Sequence, residues 1–334
     1  MKTVLVTGSQ GFIGSYLTLE LLRNGYKVIG LDNYSKYGIV KRAHDSDPNF
    51  TLINKNVIDL KDSDIPEINF IVAGAAMIGG ISYFHKYAYD LLATNERIMA
   101  STFDFAISRF KENKLRRIIV LSSSMVFENT NIFPTKETDL LTTPPPSSTY
   151  GFQKLASEYF CKGAYEQYGL PYTILRPFNC VGVGEEETIG DNLVIGNVKM
   201  MMSHVLPDLV KRAIEIGPDK PLTILGNGNQ IRHYTNGKDL ARGIRIVLES
   251  GKAINNDFNI STDRSTTVKE LAEIVWKELY NTPLKFEYAD SFKYDVQCRI
   301  PDTSKALNLL GFKCEVPLEQ SVKEVISWIK RSLK

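Results

Sequence analysis

A tyrosine and a lysine in the segment Tyr150-Gly151-Phe152-Gln153-Lys154 are the residues of this chain best suited to proton transfer. Positions four apart on a helix share one face, so the phenol and the ammonium can reach each other or a common ligand. A nearby cation favours the phenolate and lowers the pKa of Tyr150, which suits a general base or acid for a sugar or alcohol hydroxyl. The spacing alone also occurs by chance.

The surrounding sequence predicts how this pair is positioned. Three prolines at 144–146 lack a backbone donor and have a fixed φ, so they exclude a regular helix or a central strand. The segment 142–148 is therefore predicted to be a loop that delivers Tyr150 to the start of a helix over 150–168.

Three serines, Ser122, Ser123 and Ser124, lie at the carboxyl end of a strand predicted over 117–122. Ligands of parallel sheets bind outside this end of the strands. The serine hydroxyls can hold a substrate oxygen there, which strengthens the interpretation of the tyrosine and lysine as a catalytic pair.

The segment TGSQGFIG at 7–14 follows the first predicted strand and opens the first predicted helix. Without side chains, Gly8, Gly11 and Gly14 let the backbone approach a pyrophosphate and let the start of the helix point its N–H groups at it. This context predicts a dinucleotide site. The alternative is a tight turn that binds no ligand.

An acid follows this loop at the expected distance, because Asp32 ends the second predicted strand 18 residues after Gly14. Its carboxylate can accept hydrogen bonds from the adenine-ribose hydroxyls and would repel a 2'-phosphate, so the predicted cofactor is NAD rather than NADP. Asn56 and Val57 are candidates for the adenine edge, with an ordinary solvated loop as the alternative. Small residues at 73–76 suit either close passage of the cofactor or tight packing.

The complete set of predicted cofactor contacts is Gly8, Gln10, Gly11, Phe12, Ile13, Gly14, Asp32, Asn33, Asn56, Val57, Ala73, Ala75, Tyr150 and Lys154.

The periodic spacing of apolar residues predicts the strands and helices that position these contacts. Strands are predicted at 3–6, 27–31, 50–53, 69–73, 117–122, 171–178 and 222–225, and helices at 12–23, 89–110, 150–168, 207–216, 238–249, 267–280 and 317–332, with a loop over 181–202. Strands that alternate with helices of this length predict a doubly wound parallel sheet.

We predict an α/β protein with two parts. A Rossmann domain over 1–180 carries the cofactor site and the catalytic pair, and a smaller α/β substrate lobe over 181–334 sends some segments back to the sheet. The lobe is expected to pack over the carboxyl edge of the strands, where ligands bind.

The composition sets limits on partners. The formal net charge of +2, from 40 Lys and Arg against 38 Asp and Glu, gives no reason to expect nucleic acid or an anionic membrane. The four cysteines are widely spaced without a CxxC pair, which argues against a zinc site and a redox dithiol, so no metal is predicted. The first apolar run is too short for a signal peptide and no membrane span is evident, so a cytoplasmic location is predicted.

Together these features resemble the extended short-chain dehydrogenase/reductase family, and within it the NAD-dependent nucleotide-sugar epimerases and dehydratases. The matching motifs are TGSQGFIG at 7–14, Asp32, SSSMVF at 122–127, YGFQK at 150–154, RPFN at 176–179, GNGNQIRHYT at 226–235 and RIPDTSKA at 299–306. Segments 75–80 and 202–207 resemble those of GDP-fucose synthases and GDP-mannose 3,5-epimerases. The resemblance covers nearly the whole chain.

The resemblance implies roles for individual residues. The catalytic serine stands three residues before a Val-Tyr-like pair, which is Val126-Phe127 here, so Ser123 joins Tyr150 and Lys154, with its two neighbours as fallbacks. The implied substrate is a GDP- or UDP-linked sugar, and the implied assembly is a homodimer or higher homo-oligomer. The implied substrate contacts are Ser124, Asn179, His204, Arg232 and Arg299. A surface ion pair is the alternative for either arginine, and a packing role is the alternative for His204.

Two departures from the family pattern narrow the reaction. Ser124 and Met125 stand where dehydratases of this kind carry an Asp-Glu pair, and Met125 stands where 3,5-epimerases carry a cysteine. A thioether cannot move a proton, so dehydration and 3,5-epimerisation are disfavoured. The leading hypothesis is a redox-neutral C4 epimerase that retains NAD. The alternatives are a 4-dehydrogenase that releases a 4-keto nucleotide sugar and, from another class, a non-catalytic NAD sensor.

Overall fold

The computed structural model describes residues 1–65, 67–79, 86–185, 193–195, 198–200, 204–290 and 296–332, with the backbone alone described at 193–195 and 198–200. Its strands, in chain order, are β1 (Thr3–Thr7), β2 (Lys27–Asp32), β3 (Phe50–Asn54), β4 (Phe70–Ala73), β5 (Arg117–Leu121), β6 (Tyr172–Pro177), β7 (Cys180–Val181), β8 (Leu193–Ile195), β9 (Val198–Met200), β10 (Leu222–Leu225), β11 (Ile231–Arg232), β12 (Thr235–Asn236), β13 (Asn256–Ile260), β14 (Thr266–Thr267) and β15 (Phe286–Ala289). Seven of them form one parallel sheet in the order β13-β6-β5-β4-β1-β2-β3. The predicted parallel sheet is confirmed.

Helices cover both faces of this sheet, as the alternation of elements predicted. The α-helices within the described residues are α1 (Phe12–Arg23), α2 (Ala88–Lys111), α3 (Thr149–Tyr168), α4 (Val205–Ile216), α5 (Gly237–Glu249), α6 (Val268–Leu279), α7 (Ser304–Leu310) and α8 (Leu318–Ser332). On one face, Leu17 of α1 and Ile244 of α5 belong to one apolar core cluster. On the other face, Phe103 of α2 and Cys161 of α3 belong to a second. Burial of both faces explains why the strands are almost continuously apolar.

The predicted helices and strands agree with the structure to within two residues at each end. The loop predicted over 181–202 lies partly outside the described residues. Within it, β8 and β9 pair as a short antiparallel ribbon, so the prediction of a loop is wrong for those two segments.

The edge strand β13 was missed by the sequence analysis. Asn259 in its middle is fully buried, and this breaks the apolar pattern that identifies a strand. Long-range hydrogen bonds pair the nitrogen atoms of this polar residue: its side-chain amide nitrogen donates to the carbonyl oxygens of Thr135 (3.0 Å) and Asp302 (3.2 Å), and its backbone N–H donates to Glu137 (2.8 Å). These partners are far away in the sequence, so no local signal indicated the strand.

A separate apolar cluster organises much of the C-terminal half. Leu209 of α4, Leu271 of α6 and Val322 of α8 pack together, and β10 pairs with β15 in parallel beside them. Helix α5 and strand β13 instead pack with the central sheet. The division of the chain at residue 180 stays a prediction.

The sheet brings the predicted site segments to one edge. Thr7 at the end of β1 lies beside Leu31 on one side and Ala73 on the other, and Leu121 at the end of β5 lies beside Leu175. The strand order reverses between β1 and β4, and sheets of this kind bind their ligands at such a switch point.

Candidate active site

A single cavity of about 720 Å³ runs along this edge and is lined by the glycine loop, the three serines, Tyr150 and Lys154. The catalytic set predicted from sequence therefore lies together in space. Its position at the carboxyl ends of the strands is where a doubly wound sheet binds its ligand.

Tyr150 is positioned by the start of helix α3. The side chain of Ser148 caps this helix by accepting a hydrogen bond from the N–H of Gly151 (3.0 Å). Glu128 in turn accepts hydrogen bonds from the N–H and the hydroxyl of Ser148, both at 2.9 Å. The first turn of the helix is thereby fixed to the segment that follows the serine run.

Tyr150 is 7% exposed, and the Ser123 hydroxyl lies close enough to its phenol to influence its pKa. Burial raises the pKa of Tyr150 above its ordinary value, while the Ser123 hydroxyl and the positive charge of Arg299 act in the opposite direction. The prediction that Lys154 lowers the pKa of Tyr150 is therefore wrong. Burial outweighs the opposing influences, and the net shift of the Tyr150 pKa is upward. The groups that favour the phenolate are Ser123 and Arg299.

Lys154 is held between the tyrosine ring and the end of β5. Its ammonium donates a hydrogen bond to the carbonyl oxygen of Leu121 (2.9 Å) and lies 5.9 Å from the centre of the Tyr150 ring. Burial lowers the pKa of Lys154 to about 8. Its ammonium thus points into the cavity from a fixed position.

The glycine loop has the shape that a pyrophosphate needs. Gly8 adopts φ +74°, a left-handed conformation that favours glycine. A Cβ on Gly14 would lie 1.9 Å from the carbonyl oxygen of Gly8, so only hydrogen fits there. Helix α1 begins after Gly11 without a side-chain cap, and its first N–H groups remain available to an anion. Gln10, Phe12 and Ile13 also line the cavity.

Asp32 lies beside this loop. Its two carboxylate oxygens accept backbone N–H groups from Gln10 (2.9 Å) and Tyr34 (2.8 Å). A carboxylate oxygen has more than one acceptor site, so the same group can also receive ribose hydroxyls. Asn33 lines the cavity and its side chain accepts the N–H of Ser35 (3.0 Å).

The remaining predicted cofactor contacts divide into two groups. Asn56, which caps a short 3-10 helix, Val57 and Ala75 all line the cavity. Ala73 is buried in the core between the sheet and α2, so the structure does not bring its side chain to the cavity. The N–H groups of Gly74 and Ala75 donate to the Thr7 hydroxyl, both at 3.1 Å, which ties the ends of β1 and β4 together.

The five predicted substrate residues line the other half of the cavity, namely Ser124, Asn179, His204, Arg232 and Arg299. Arg299 is brought there by backbone pairing, since its N–H donates to the carbonyl oxygen of Ile231 (3.2 Å). The ring of His204 contacts the buried carboxylate of Glu185. Two cationic side chains on one wall supply the local positive charge that the net charge of the chain does not.

The sequence analysis missed several residues of this half, among them Asp208, Arg212 and Gln230. Arg212 donates to Asp208 (2.7 Å) and to the carbonyl oxygen of Thr223 (2.6 Å). The acid and the arginine stand four apart on α4, which is a recognisable helical pair. The spacing does not reveal that the pair faces a cavity, because that depends on strand β10 from the following segment.

Among the residues that the structure describes, no group of three or more His, Cys, Asp or Glu side chains is arranged to hold a metal ion. Among the helices of the described ranges, none combines the length and apolar character needed to cross a bilayer.

The parallel sheet, the glycine loop and the Ser-Tyr-Lys set define a short-chain dehydrogenase-type enzyme, and comparison with known proteins agrees. The family model of the NAD dependent epimerase/dehydratase family matches residues 4–261, and the chain belongs to this family. Its cofactor is NAD, and the left-handed Gly8, the tight contact at Gly14 and the uncapped helix start fit that cofactor.

Individual relatives carry out more than one reaction. The chain is 25% identical to UDP-glucuronic acid decarboxylase 1 of Danio rerio over 100% of this chain and 74% of the relative. It is also 25% identical to UDP-glucose 4-epimerase of Halalkalibacterium halodurans over 98% and 95%. The crystal structure of UDP-glucose 4-epimerase from Thermotoga maritima with UDP-glucose has a TM-score of 0.79 and 26% identity, covering 99% of this chain and all of that one. Equal similarity to a decarboxylase and an epimerase leaves the reaction to be argued from the site.

Proposed function

We propose that this enzyme is an NAD-dependent nucleotide-sugar epimerase that inverts C4 through a transient 4-keto sugar. The observation that carries the proposal is that Ser123, Tyr150 and Lys154 line one cavity, with Ser124 and Met125 beside them. Met125 is buried and packs in one apolar cluster with Tyr150. These neighbours offer an alcohol and a thioether, and neither suits the abstraction of a proton from carbon.

The chain's own residues perform the proton chemistry at the C4 hydroxyl. The phenolate of Tyr150 accepts the hydroxyl proton, and Ser123 holds the same oxygen by hydrogen bonding. Lys154 holds the nicotinamide ribose and keeps positive charge near the phenol. Bound NAD supplies a reversible hydride acceptor at this point. After the keto sugar has rotated in the cavity to present its opposite face, Tyr150 returns the proton to the C4 oxygen.

The substrate is proposed to be a UDP- or GDP-linked sugar, and the UDP-linked relatives support the first choice. Asn179, Arg232 and Arg299 are proposed to bind the diphosphate, because guanidinium groups form paired hydrogen bonds with phosphate oxygens. The family resemblance further supports a cytoplasmic homodimer, and light scattering of the purified protein tests the dimer.

The experiment has two stages. A thermal-shift screen against UDP-, GDP-, CDP- and dTDP-sugars finds the nucleotide sugar, because a ligand that binds the folded state raises its melting temperature. The hit is then turned over in deuterated water. In C4 inversion the carbon-bound hydrogen leaves and returns as hydride without meeting solvent, so the product should carry no deuterium on ring carbons. Tyr150→Phe keeps the ring and serves as the control, with NAD still bound and turnover lost.

Each other outcome identifies a different reaction. Deuterium at C3 or C5 would contradict C4 inversion and indicate proton abstraction from carbon, with His204 as the candidate base. NADH that accumulates with a 4-keto product would indicate a dehydrogenase, and release of carbon dioxide from a uronic acid would indicate a decarboxylase. Bound NAD without turnover of any sugar would support the sensor.

A further inference from the structure

Three successive residues at the end of β5 face three residues of the catalytic helix α3. The carbonyl oxygen of Leu121 accepts a hydrogen bond from Lys154, Ser122 donates one to Glu158 at 2.6 Å, and the Ser123 hydroxyl lies near the Tyr150 phenol. The helix residues 150, 154 and 158 are spaced by four and therefore form one stripe along the helix. Two of the three contacts involve the catalytic pair, and the third involves Glu158.

Glu158 is fixed from the opposite side by an arginine of the neighbouring strand β6. Arg176 donates to both oxygens of the Glu158 carboxylate, from Nε at 2.8 Å and from Nη2 at 2.7 Å. The carboxylate is 0% exposed and the guanidinium 2%. This two-point contact leaves the carboxylate no freedom to rotate, so the oxygen that receives Ser122 has a fixed position.

The network continues to the edge of the sheet. A third nitrogen of Arg176, Nη1, lies 2.7 Å from Asp257 on β13, and Lys305 on α7 lies 2.6 Å from the other oxygen of Asp257. The chain of contacts thus crosses β5, β6 and β13 and ends near the surface. Asp257 has two cationic partners, so it keeps one of them if Arg176 is replaced.

A fully buried ion pair is a poor source of stability, because desolvation of both charges offsets their attraction. Apolar residues of similar size would serve the core as well. We propose that Glu158, oriented by Arg176, is a positioning residue that holds the catalytic helix in register with the end of β5. The proposal rests on the catalytic role proposed above for Tyr150.

The register matters because it sets the position of the Tyr150 phenol relative to Ser123 and the cavity. The Ser123 hydroxyl favours the phenolate and opposes the effect of burial on the pKa of Tyr150. A shift of the helix by a fraction of an ångström moves the phenol away from Ser123, which raises the pKa of Tyr150 and misplaces the phenol relative to the substrate oxygen. Loss of Glu158 should therefore impair turnover without changing the affinity for the nucleotide sugar.

The first test variant is Ser122→Ala, which removes one hydrogen bond and leaves the ion pair in place. We expect kcat to fall several-fold at neutral pH with KM unchanged. The acid limb of the pH–rate profile should move to higher pH, because Tyr150 must be deprotonated to act and its pKa rises. Retention of NAD should equal that of the parent.

The second test variant combines Glu158→Met with Arg176→Met, so that neither buried charge is left alone. We expect this protein to fold and retain NAD, with kcat reduced more than tenfold and a larger shift of the acid limb. The matched control combines Glu319→Met with Arg264→Met, an ion pair of similar length (2.8 Å) whose side chains are 49% and 46% exposed. The control should leave kcat and the pH profile unchanged.

A readout independent of the reaction separates this proposal from the proposed function. The titration of Tyr150 is obtained by ultraviolet difference spectroscopy of each protein against its Tyr150→Phe counterpart. If the parent turns over no nucleotide sugar, the proposed function fails, yet a raised Tyr150 pKa in both variants still supports the positioning role. A folded double variant with the parent's Tyr150 titration overturns the proposal. If the double variant does not fold, an unchanged titration in Ser122→Ala overturns it.

Discussion

The two ends of the cavity are built in different ways. At the cofactor end, one short stretch from Gly8 to Gly14 supplies both the loop and the helix start, and the fit depends on the absence of side chains. At the substrate end, Asn179, Arg232 and Arg299 come from segments far apart in the chain and present charge and hydrogen-bonding groups. A substitution at the first end should therefore act through shape, and one at the second end through charge.

The strongest test of this difference is Gly14→Ala. The new methyl group would lie 1.9 Å from the Gly8 carbonyl oxygen, and that neighbour is backbone, so the loop itself must move. The N–H groups that we propose to bind the pyrophosphate move with it. We expect NAD affinity to fall on the order of 100-fold, which corresponds to about 2.7 kcal/mol. Titration of NAD into the cofactor-free protein measures the change.

The matched control is Gly163→Ala in helix α3, where a Cβ would meet nothing within 4 Å. Alanine is a better helix former than glycine, so this variant should bind NAD as the parent does and melt slightly higher. An affinity for NAD within twofold of the parent's in Gly14→Ala would mean that the loop tolerates a side chain, and the distinction between shape and charge would not hold at this end.

The next largest effect is expected from Arg299→Met at the substrate end. Removal of one charge-assisted hydrogen bond to phosphate costs about 1.5–3 kcal/mol, so KM for the nucleotide sugar should rise roughly 10- to 100-fold. NAD affinity should not change. Arg299 also opposes the burial-induced rise in the pKa of Tyr150, so the acid limb of the pH–rate profile should move to higher pH.

Arg264→Met is the control for Arg299, because Arg264 forms a solvent-exposed ion pair with Glu319 away from the cavity. It should leave KM and the pH profile unchanged, since exposed pairs contribute little. If Arg299→Met altered the melting temperature alone, the arginine would be a structural ion-pair partner and the substrate end would bind its ligand in another way.

The difference between the locally built cofactor end and the substrate end, which is built from distant segments, also explains which residues the sequence could predict. The glycine loop and the YxxxK pair are local patterns, and both were placed correctly at the edge of the sheet. Asp208 and Arg212 form a local helical pair, but their exposure to the cavity depends on the later strand β10. Glu158 meets Arg176 only because helix α3 packs against β6, and the side-chain amide of Asn259 on β13 donates to residues more than 40 positions away. Such long-range contacts are not indicated by any periodic pattern of residues in the sequence.

Asp32 tests the comparison further, because it lies beside the glycine loop and is expected to act through its charge. Its carboxylate accepts N–H groups from Gln10 of the glycine loop and from Tyr34. Asp32→Ala removes both supports together with the negative charge, whereas Asp32→Asn keeps the size and one acceptor oxygen. The two variants therefore separate the role of the carboxylate in holding the loop from its repulsion of a 2'-phosphate.

We expect Asp32→Ala to weaken NAD about tenfold, near 1.4 kcal/mol, since it loses hydrogen bonds to a charged group. Asp32→Asn should weaken NAD less. Both variants should discriminate less against NADP, because only the negative charge repels the extra phosphate and both lack it. Equilibrium titrations with NAD and NADP on the cofactor-free proteins give the two affinities for each variant. If the preference for NAD is unchanged in both variants, Asp32 does not lie at the ribose, and shape alone would govern the cofactor end.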